Sequence, residues 1–563
     1  MNSAFAAPTA SLDDPFYYLT NFRFVLDWVG ERHADLLSAD ERDFLVQFDN
    51  LPRSSQALLV RMVMRKGELF RLGKLSYAEI GDSATAVAPL MSLGWVDSDP
   101  ALSVDEVFHQ LRLAELRQAL AAEIRAAGVS VSSAKTVLYD TLASAFNEPK
   151  RLCQWWPGAN DTVLRLTVME TCDRLRLMFF GNLRQDWAEF VLTELGLQHF
   201  EVVPFTSHSR AFQSRHEVDT YLVLHHLRQR LDEGELPADL YREVPSTSDN
   251  RWLATRRARL LLQLGREAER SGDSALALTL YGDADSSEAR IRQLRVLERA
   301  GEHQAAFERA TQALDSSPNE TEHQALARLL PRLQRRLKMP VVPSEPEPAH
   351  ERWDLVLPGP QGVERAVAQA LSEPQAPVYY VENSLITGLF GLLCWSAIFA
   401  PLPGAFFHPF HNGPADLYRD DFVARRRDAF DACLARLEDG SYREVIQATW
   451  REKFGLASPF VHWPIVDEAL VELALECIPA EHLRACFERL LGDLKANRAG
   501  LPDLIQLMPD APEGTPRYRM IEVKGPGDRL QDNQRRWLTF FHRHEIPAAV
   551  CYVCWADSAE PMP

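Results

Sequence analysis

The sequence predicts a multidomain protein, mostly α-helical, that closes on an α/β domain. Three observations carry this expectation. At 563 residues the chain is too long for one hydrophobic core and should divide into several domains. Apolar residues recur at helical spacing through most of the chain ahead of a proline-rich stretch, Met339-Pro340-Val341-Val342-Pro343-Ser344-Glu345-Pro346-Glu347-Pro348. Beyond residue 500 the period changes to two, and strand, turn, strand, helix and strand follow one another.

Composition narrows the function classes. Charged residues make up 25% and hydrophobic residues 46%, the balance of a soluble globular protein. No run of 18 apolar residues occurs, so no membrane partner is expected. Residues 1–12 lack the basic and apolar regions of a secretion signal. Eight scattered cysteines fit a reducing compartment. Cys551 and Cys554 have no second pair to complete a zinc site and read as strand core. A net charge of −18 argues against a protein that coats nucleic acid indiscriminately, but not against a local basic patch. Only eight of the 61 basic residues are lysines. Arginine suits bidentate phosphate contacts, although a genomic bias would give the same skew.

Taken in order, residues 1–105 read as a helical, winged-helix-like DNA-binding domain. Residues 53–74 hold six basic side chains and one acid, Glu68, an island of +5 (6 − 1) in an acidic chain. Arg61, Arg65 and Lys66 are its candidate DNA contacts, unless the island is only a solvated helix face. Residues 106–150 resemble a SAP module, with Lys135 before its second helix. Residues 151–250 read as mixed α/β with a basic patch, where Arg210 and Arg215 stand five apart among hydroxyl and aromatic groups. That spacing suits a phosphate, but surface salt bridging is the more ordinary reading of such a pair. Residues 251–338 repeat a glycine followed by an amphipathic helix, a tetratricopeptide-like pattern. Residues 339–350 form a proline-rich linker. Residues 351–563 form the last domain, with a helical insertion over about 405–495 carrying Arg425-Arg426-Arg427, either a DNA contact or a solvated face.

The chemistry concentrates in that domain. Leu501-Pro502-Asp503-Leu504 is followed by Met520-Ile521-Glu522-Val523-Lys524-Gly525. On a strand, Glu522 and Lys524 share one face while Ile521 and Val523 enter the core. An antiparallel neighbour would bring Asp503 alongside them. Two acids and a lysine can hold a divalent cation against a phosphodiester and handle the proton of an attacking water. Glu-Val-Lys is also ordinary for a half-exposed strand. However, Asp503 lies between Leu501 and Leu504-Ile505, a costly place for a charge without a partner. Asp510 is the rival first acid, in a Pro/Gly-rich turn. Gln534, at the start of the next helix, can reach the site while Trp537 and Leu538 pack on the sheet. Glu382 precedes an apolar helix over 385–399. It either complements the helix dipole or supplies a further carboxylate. Strand, turn, strand, helix, strand is the core of a PD-(D/E)xK nuclease.

Leu501-Pro502-Asp503-Leu504, Ile521-Glu522-Val523-Lys524-Gly525-Pro526 and Gln534-x-x-Trp537-Leu538 together resemble the VRR-NUC nuclease domain. With Gly388-Leu389-Phe390-Gly391, Asp421-Phe422-Val423-Ala424-Arg425-Arg426-Arg427, Tyr17-Tyr18-Leu19-Thr20-Asn21-Phe22 and Val60-Arg61-x-x-x-Arg65-Lys66, the order is similar to the Fanconi-associated nuclease family over almost the whole chain. The resemblance implies a metal-dependent, structure-specific DNA nuclease, a 5′-flap endonuclease and 5′→3′ exonuclease acting in interstrand crosslink repair. It implies Glu382, Asp503, Glu522 and the Val523 backbone carbonyl as ligands of one or two Mg²⁺ or Mn²⁺ ions, with Lys524 as the catalytic lysine. It also implies a pocket for a 5′-terminal phosphate at Arg210 and Arg215. The expected partner is branched or flapped DNA with a 5′ end, met by a monomer or weak dimer. No Cys/His cluster precedes Tyr17, so the ubiquitin-binding zinc finger of animal members is not expected. The interval from Asp503 to Glu522 is longer than the family suggests. Both departures point to a bacterial-type, cytoplasmic member.

Hard oxygen ligands favour Mg²⁺ or Mn²⁺ over zinc. Such ions lower the pKa of a bound water and neutralise developing charge. Lys524 would orient the water and Gln534 would position water or phosphate. Two rivals remain from the sequence: a non-catalytic DNA-binding repair scaffold, and a resolvase- or restriction-type endonuclease of the same fold.

Overall fold

The structure, a computed structural model, describes residues 14–556 apart from 147, 188, 191–198, 207, 317–318, 342–347 and 360–361. The segment examined for a secretion signal and most of the proline-rich linker lie outside the described residues. The described residues form two compact units: those within 14–190 with 210–218, and those within 199–209 with 219–556. No helix among the described residues is long and apolar enough to cross a membrane.

The N-terminal unit starts with helices Tyr17–Arg32, Ala39–Asn50 and Arg53–Val63. Ser38 begins the second with a reciprocal cap: its hydroxyl accepts the Glu41 N–H at 3.1 Å, and its own N–H donates to Glu41 Oε2 at 2.9 Å. Strands β1 (Leu69–Arg71) and β2 (Val96–Asp97) flank β5 (Val163–Leu166) in an antiparallel three-stranded sheet. Between β2 and β5, the short strands β3 (Ala101–Leu102) and β4 (Lys150–Arg151) pair. They close off four helices packed on Val107, Phe108, Leu116, Ile124 and Leu138. β4 and the helix Leu152–Trp155 carry this module past residue 150. β5 returns to complete the first sheet, and the helix Met169–Phe180 after it packs Phe179 against Phe24 and Trp28 of the first helix.

In the second unit, successive helices run from Arg251–Arg270 to Glu320–Arg336 around leucine and alanine cores. The sheet of this unit is mixed, in the order β6 (Glu351–Leu357), β10 (Ala548–Trp555), β9 (Tyr518–Lys524), β8 (Leu504–Leu507), β7 (Val378–Tyr380). β10 is parallel to both neighbours, and β8 is antiparallel to both of its own. The expected strand, strand, helix and strand all form, and Cys551 takes its place in the sheet's core. The helix Asp532–Arg543 fills the crossover between β9 and β10. The last repeat helix docks on it through ion pairs of Arg328 with Asp532 and of Glu320 with Arg489, whose guanidinium lies 4.8 Å from the Trp537 ring.

All nine residues of the helix Leu385–Leu393 are buried. Gly391 permits this, since a Cβ there would stand 2.7 Å from Phe460 Cβ. The insertion is helical as expected, with helices Arg427–Asp439, Tyr442–Lys453, Glu468–Cys477 and Ala480–Gly492. Its arginine triplet differs from expectation. Arg426 is wholly buried and bidentate on Asp416 at 2.9 and 3.0 Å, and Arg425 bonds the same carboxylate at 2.6 Å. These two arginines are structural, and only Arg427 is exposed. Asp416→Ala strands a buried cation and should cost about 3–5 kcal/mol, read as a lower urea midpoint. Arg427→Ala should stay within about 0.5 kcal/mol of the parent.

Candidate active site

The centre follows from the pleat and register of β9. Ile521 and Val523 are buried with Leu504 and Val367, which turns Glu522 and Lys524 together to the opposite face. Lys524 Nζ lies 2.6 Å from Glu522 Oε1. Pairing of Leu504 with Ile521 brings Asp503 level with Glu522 just beyond the end of β8. The Val523 N–H donates to Asp503 Oδ2 at 2.8 Å. All three charged side chains are buried: Glu522 at 1% exposure, Lys524 at 7%, Asp503 at 8%.

Burial at such density shows in the electrostatics. Loss of water pushes the Glu522 carboxyl up to about 8; the Asp503 charge adds to the rise, and Lys524 opposes it. Burial also raises Asp503, against the Val523 N–H and Lys524, with Glu382 and Glu364 raising it further. Two buried carboxylates facing one ammonium are short of positive charge.

Glu382 stands on the turn after β7. The Tyr380 hydroxyl donates to its Oε2, and Asn383 Nδ2 donates to its Oε1 at 3.3 Å. Among the described residues no three Asp, Glu, His or Cys side chains are gathered tightly enough to hold an ion as they stand. Glu522 is engaged by Lys524, and Glu382 by Tyr380 and Asn383. The donor set nevertheless suits a hard divalent cation: carboxylates, no sulfur or imidazole, and unbalanced negative charge. The Val523 carbonyl faces the β8 edge with its own N–H, because both groups of one strand residue point the same way.

The structure separates the two candidate first acids. Asp503 touches the Glu522 strand, whereas Asp510 is exposed in the β8–β9 connection. Gln534 differs from expectation: its Oε1 accepts the Gln531 N–H at 2.8 Å and so caps the helix start. The sequence reading missed Glu364, Tyr380 and Asn383. Glu364 begins the helix Val363–Leu371 and looks there like an acid complementing the helix dipole. A tyrosine and an asparagine next to a predicted carboxylate were the available signal for the other two.

The basic candidates of the N-terminal unit divide. Arg65 and Lys66 are exposed as expected. Arg61 is not: it bonds Glu79 at 2.7 Å and lies 3.8 Å over the Tyr18 ring. Arg71 of the same island is held by Glu115 and Asp161. Arg210 and Arg215 do not form the expected open phosphate pocket. Arg210 grips Asp35 at 2.6 Å and the Arg32 carbonyl at 3.0 Å, while Arg215 bonds the buried Glu41 at 2.6 Å. Beside Arg210, His33 is 1% exposed and neither ring nitrogen has a hydrogen-bond partner among the described residues. Burial, then the charges of Arg210 and Arg32, lowers it to about 3.

Comparison with known proteins gives three family matches along the chain: the FAN1 HTH domain over residues 16–97, the Fanconi anemia-associated nuclease SAP domain over 101–155, and the VRR-NUC domain over 437–555. The last spans Asp503, Glu522, Lys524 and Gln534 but not Glu382. The chain is 51% identical to a Fanconi-associated nuclease 1 homolog of Pseudomonas aeruginosa over 99% of both. It is 25% identical to the rice homolog and 23% to the human Fanconi-associated nuclease 1, spanning 62% of the length of each. Among solved structures, paFAN1 bound to 5′-flap DNA with a 2-nt flap and a gap matches at a TM-score of 0.92, with 51% identity, covering 98% of this chain and all of that one.

His33 yields a pH prediction. The unfolded chain takes up a proton near pH 6.5, and the folded chain not until about 3. Stability therefore falls as pH drops below about 6.5, by ~1.4 kcal/mol per unit from this residue. Urea unfolding of His33→Leu between pH 7 and 4 should show a correspondingly shallower decline than the parent.

Proposed function

The chain belongs to the Fanconi-associated nuclease family and is a structure-specific DNA nuclease; from that premise we propose that Asp503, Glu522 and Lys524 form the centre where it cuts, with a 5′ flap as its preferred substrate. The observation that carries the chemistry is the buried Asp503–Glu522 pair with Lys524 2.6 Å from Glu522. The paFAN1 complexes with 5′-flap DNA support the substrate. Stepwise 5′→3′ trimming and action on interstrand crosslinks extend the same reading. A monomer or weak dimer acting in the cytoplasm fits the same reading.

Asp503, Glu522, Glu382 and the Val523 carbonyl would hold one or two divalent ions, Mg²⁺ or Mn²⁺. When bound, the metal supplies Lewis-acid activation of water and neutralises charge on the phosphate. Asp503 is fixed for this by the Val523 N–H, so it meets the reaction without reorganising. Lys524 would orient the attacking water and offset charge on the phosphate oxygens. Hydrophobic packing under β9 holds both side chains to one face and restricts bulk water. Gln534 contributes by fixing the start of the helix that follows. Arg65 and Lys66, exposed on the N-terminal unit, are the basic residues that best suit duplex phosphates.

Glu522→Gln, Lys524→Ala and Asp503→Asn should each lower cleavage of a 5′-flap oligonucleotide in Mn²⁺ by at least about 100-fold, while Asp510→Asn stays near the parent. The measurement is single-turnover cleavage on denaturing gels, alongside 3′-flap, nicked and four-way substrates. Near-parental cutting by Glu522→Gln would sink the assignment. Metal-independent binding without cutting would identify a scaffold, and paired cuts across a four-way junction a resolvase.

A further inference from the structure

We propose that Tyr380 and Asn383 are positioning residues that hold the Glu382 carboxylate in place relative to Asp503, Asn383 doing so by tying the Glu382 turn to the chain that leads into Asp503. The inference rests on the reading of Glu382 as a metal-holding acid. Glu382 is exposed, on a turn between β7 and the buried helix Leu385–Leu393. A glutamate so placed samples several rotamers unless something holds it. Two donors do. The Tyr380 hydroxyl takes one carboxylate oxygen, and Asn383 Nδ2 takes the other at 3.3 Å. A carboxylate offers about four lone-pair sites, so both bonds leave room for a cation.

Asn383 does more than contact its neighbour. Its Oδ1 accepts the Leu501 N–H at 3.0 Å, across 118 residues of sequence and two residues ahead of Asp503. Its carbonyl accepts the Thr387 hydroxyl at 2.6 Å, at the first turn of the buried helix. Its backbone is left-handed, φ 51°, a conformation that asparagine adopts more readily than most residues. Alongside, the Val381 N–H donates to the Asp503 carbonyl at 2.8 Å. Residues 381–383 and 501–503 are thus bonded to each other at both ends, and one side chain spans from the first acid's approach to the second acid's carboxylate. Partners that orient a metal-holding carboxylate typically matter by about 10–100-fold in metal affinity. A residue that only builds a turn would change stability and leave the affinity of the folded protein alone.

The test uses the full chain with Tyr380→Phe and Asn383→Gly, the glycine accepting the positive φ, next to Glu382→Ala. Mn²⁺ binding is measured by titration calorimetry without DNA, beside thermal midpoints and metal-free binding of a 5′-flap duplex. Each single variant should weaken Mn²⁺ binding by about 10-fold or more with DNA affinity unchanged. Introduced into Glu382→Ala, neither should weaken it further. Parental Mn²⁺ affinity in both variants, where Glu382→Ala has lost it, overturns the proposal, as does a loss that adds to that of Glu382→Ala. Parental affinity in Glu382→Ala overturns instead the reading of Glu382 on which it stands. Should Asn383→Gly fail to fold, Tyr380→Phe leaves the turn intact and decides by the same outcomes.

Discussion

The hydrogen bond from the Val523 N–H to the Asp503 carboxylate is the contact on which the site depends. It joins an acid just before the start of one strand to the C-terminal end of the acidic strand beside it. It exists only in one register, with Leu504 opposite Ile521. A slip of one residue would turn Glu522 and Lys524 into the core and expose Ile521 and Val523. The approach to Asp503 is fixed from behind as well. Gly500 sits at φ 91°, and a Cβ there would stand 2.8 Å from backbone and side-chain atoms of Asn533 at the start of the next helix. Strand register, the turn into Asp503 and the first turn of that helix are therefore one constraint.

The constraint is stabilising in geometry and destabilising in electrostatics. The packing that sets the register also strips water from Glu522 and Asp503, and both carboxyls rise. A purely structural strand would have no reason to keep two acids here, because apolar residues of similar volume would bury without penalty. Two buried acids, the Asp503 charge raising Glu522 and Glu382 and Glu364 raising Asp503, with one ammonium paired to Glu522, are the pattern of a site kept for chemistry. The negative charge is the property a divalent cation needs, so what costs the apo fold stability would become binding energy for the metal.

What the sequence made legible follows from range. Period-two alternation, the apolar helix after Glu382 and the helical insertion are local patterns, and all of them form. The centre was legible too, because Glu522 and Lys524 share a face by pleat alone and Asp503 lies one connection away. What stayed hidden depended on distant partners. Arg61 and Arg426 read as solvated or DNA-facing cations because Glu79 and Asp416 neutralise them from afar in sequence. For Arg210 and Arg215 the sequence offered salt bridging as the alternative without naming Asp35 and Glu41 as the partners. The return of β5 to the first sheet across a whole helical module leaves no local signal. Glu364 was invisible for the opposite reason: the start of a helix is an ordinary place for an acid.

The insertion explains how residues so far apart in sequence come to share one site. It leaves the chain after the helix that follows Glu382, and its segment at 460–466 packs back on that helix, close to Gly388 and Gly391. It rejoins the sheet at the short helix Leu494–Asn497, where the Asn497 carbonyl accepts the indole N–H of Trp537 at 3.2 Å. Trp537 belongs to the helix that follows Lys524. The insertion and the short helix that closes it thus pack against the elements after Glu382 and after Lys524, and that helix ends three residues before Gly500. The insertion is a brace between the two halves of the centre rather than an appendage on them.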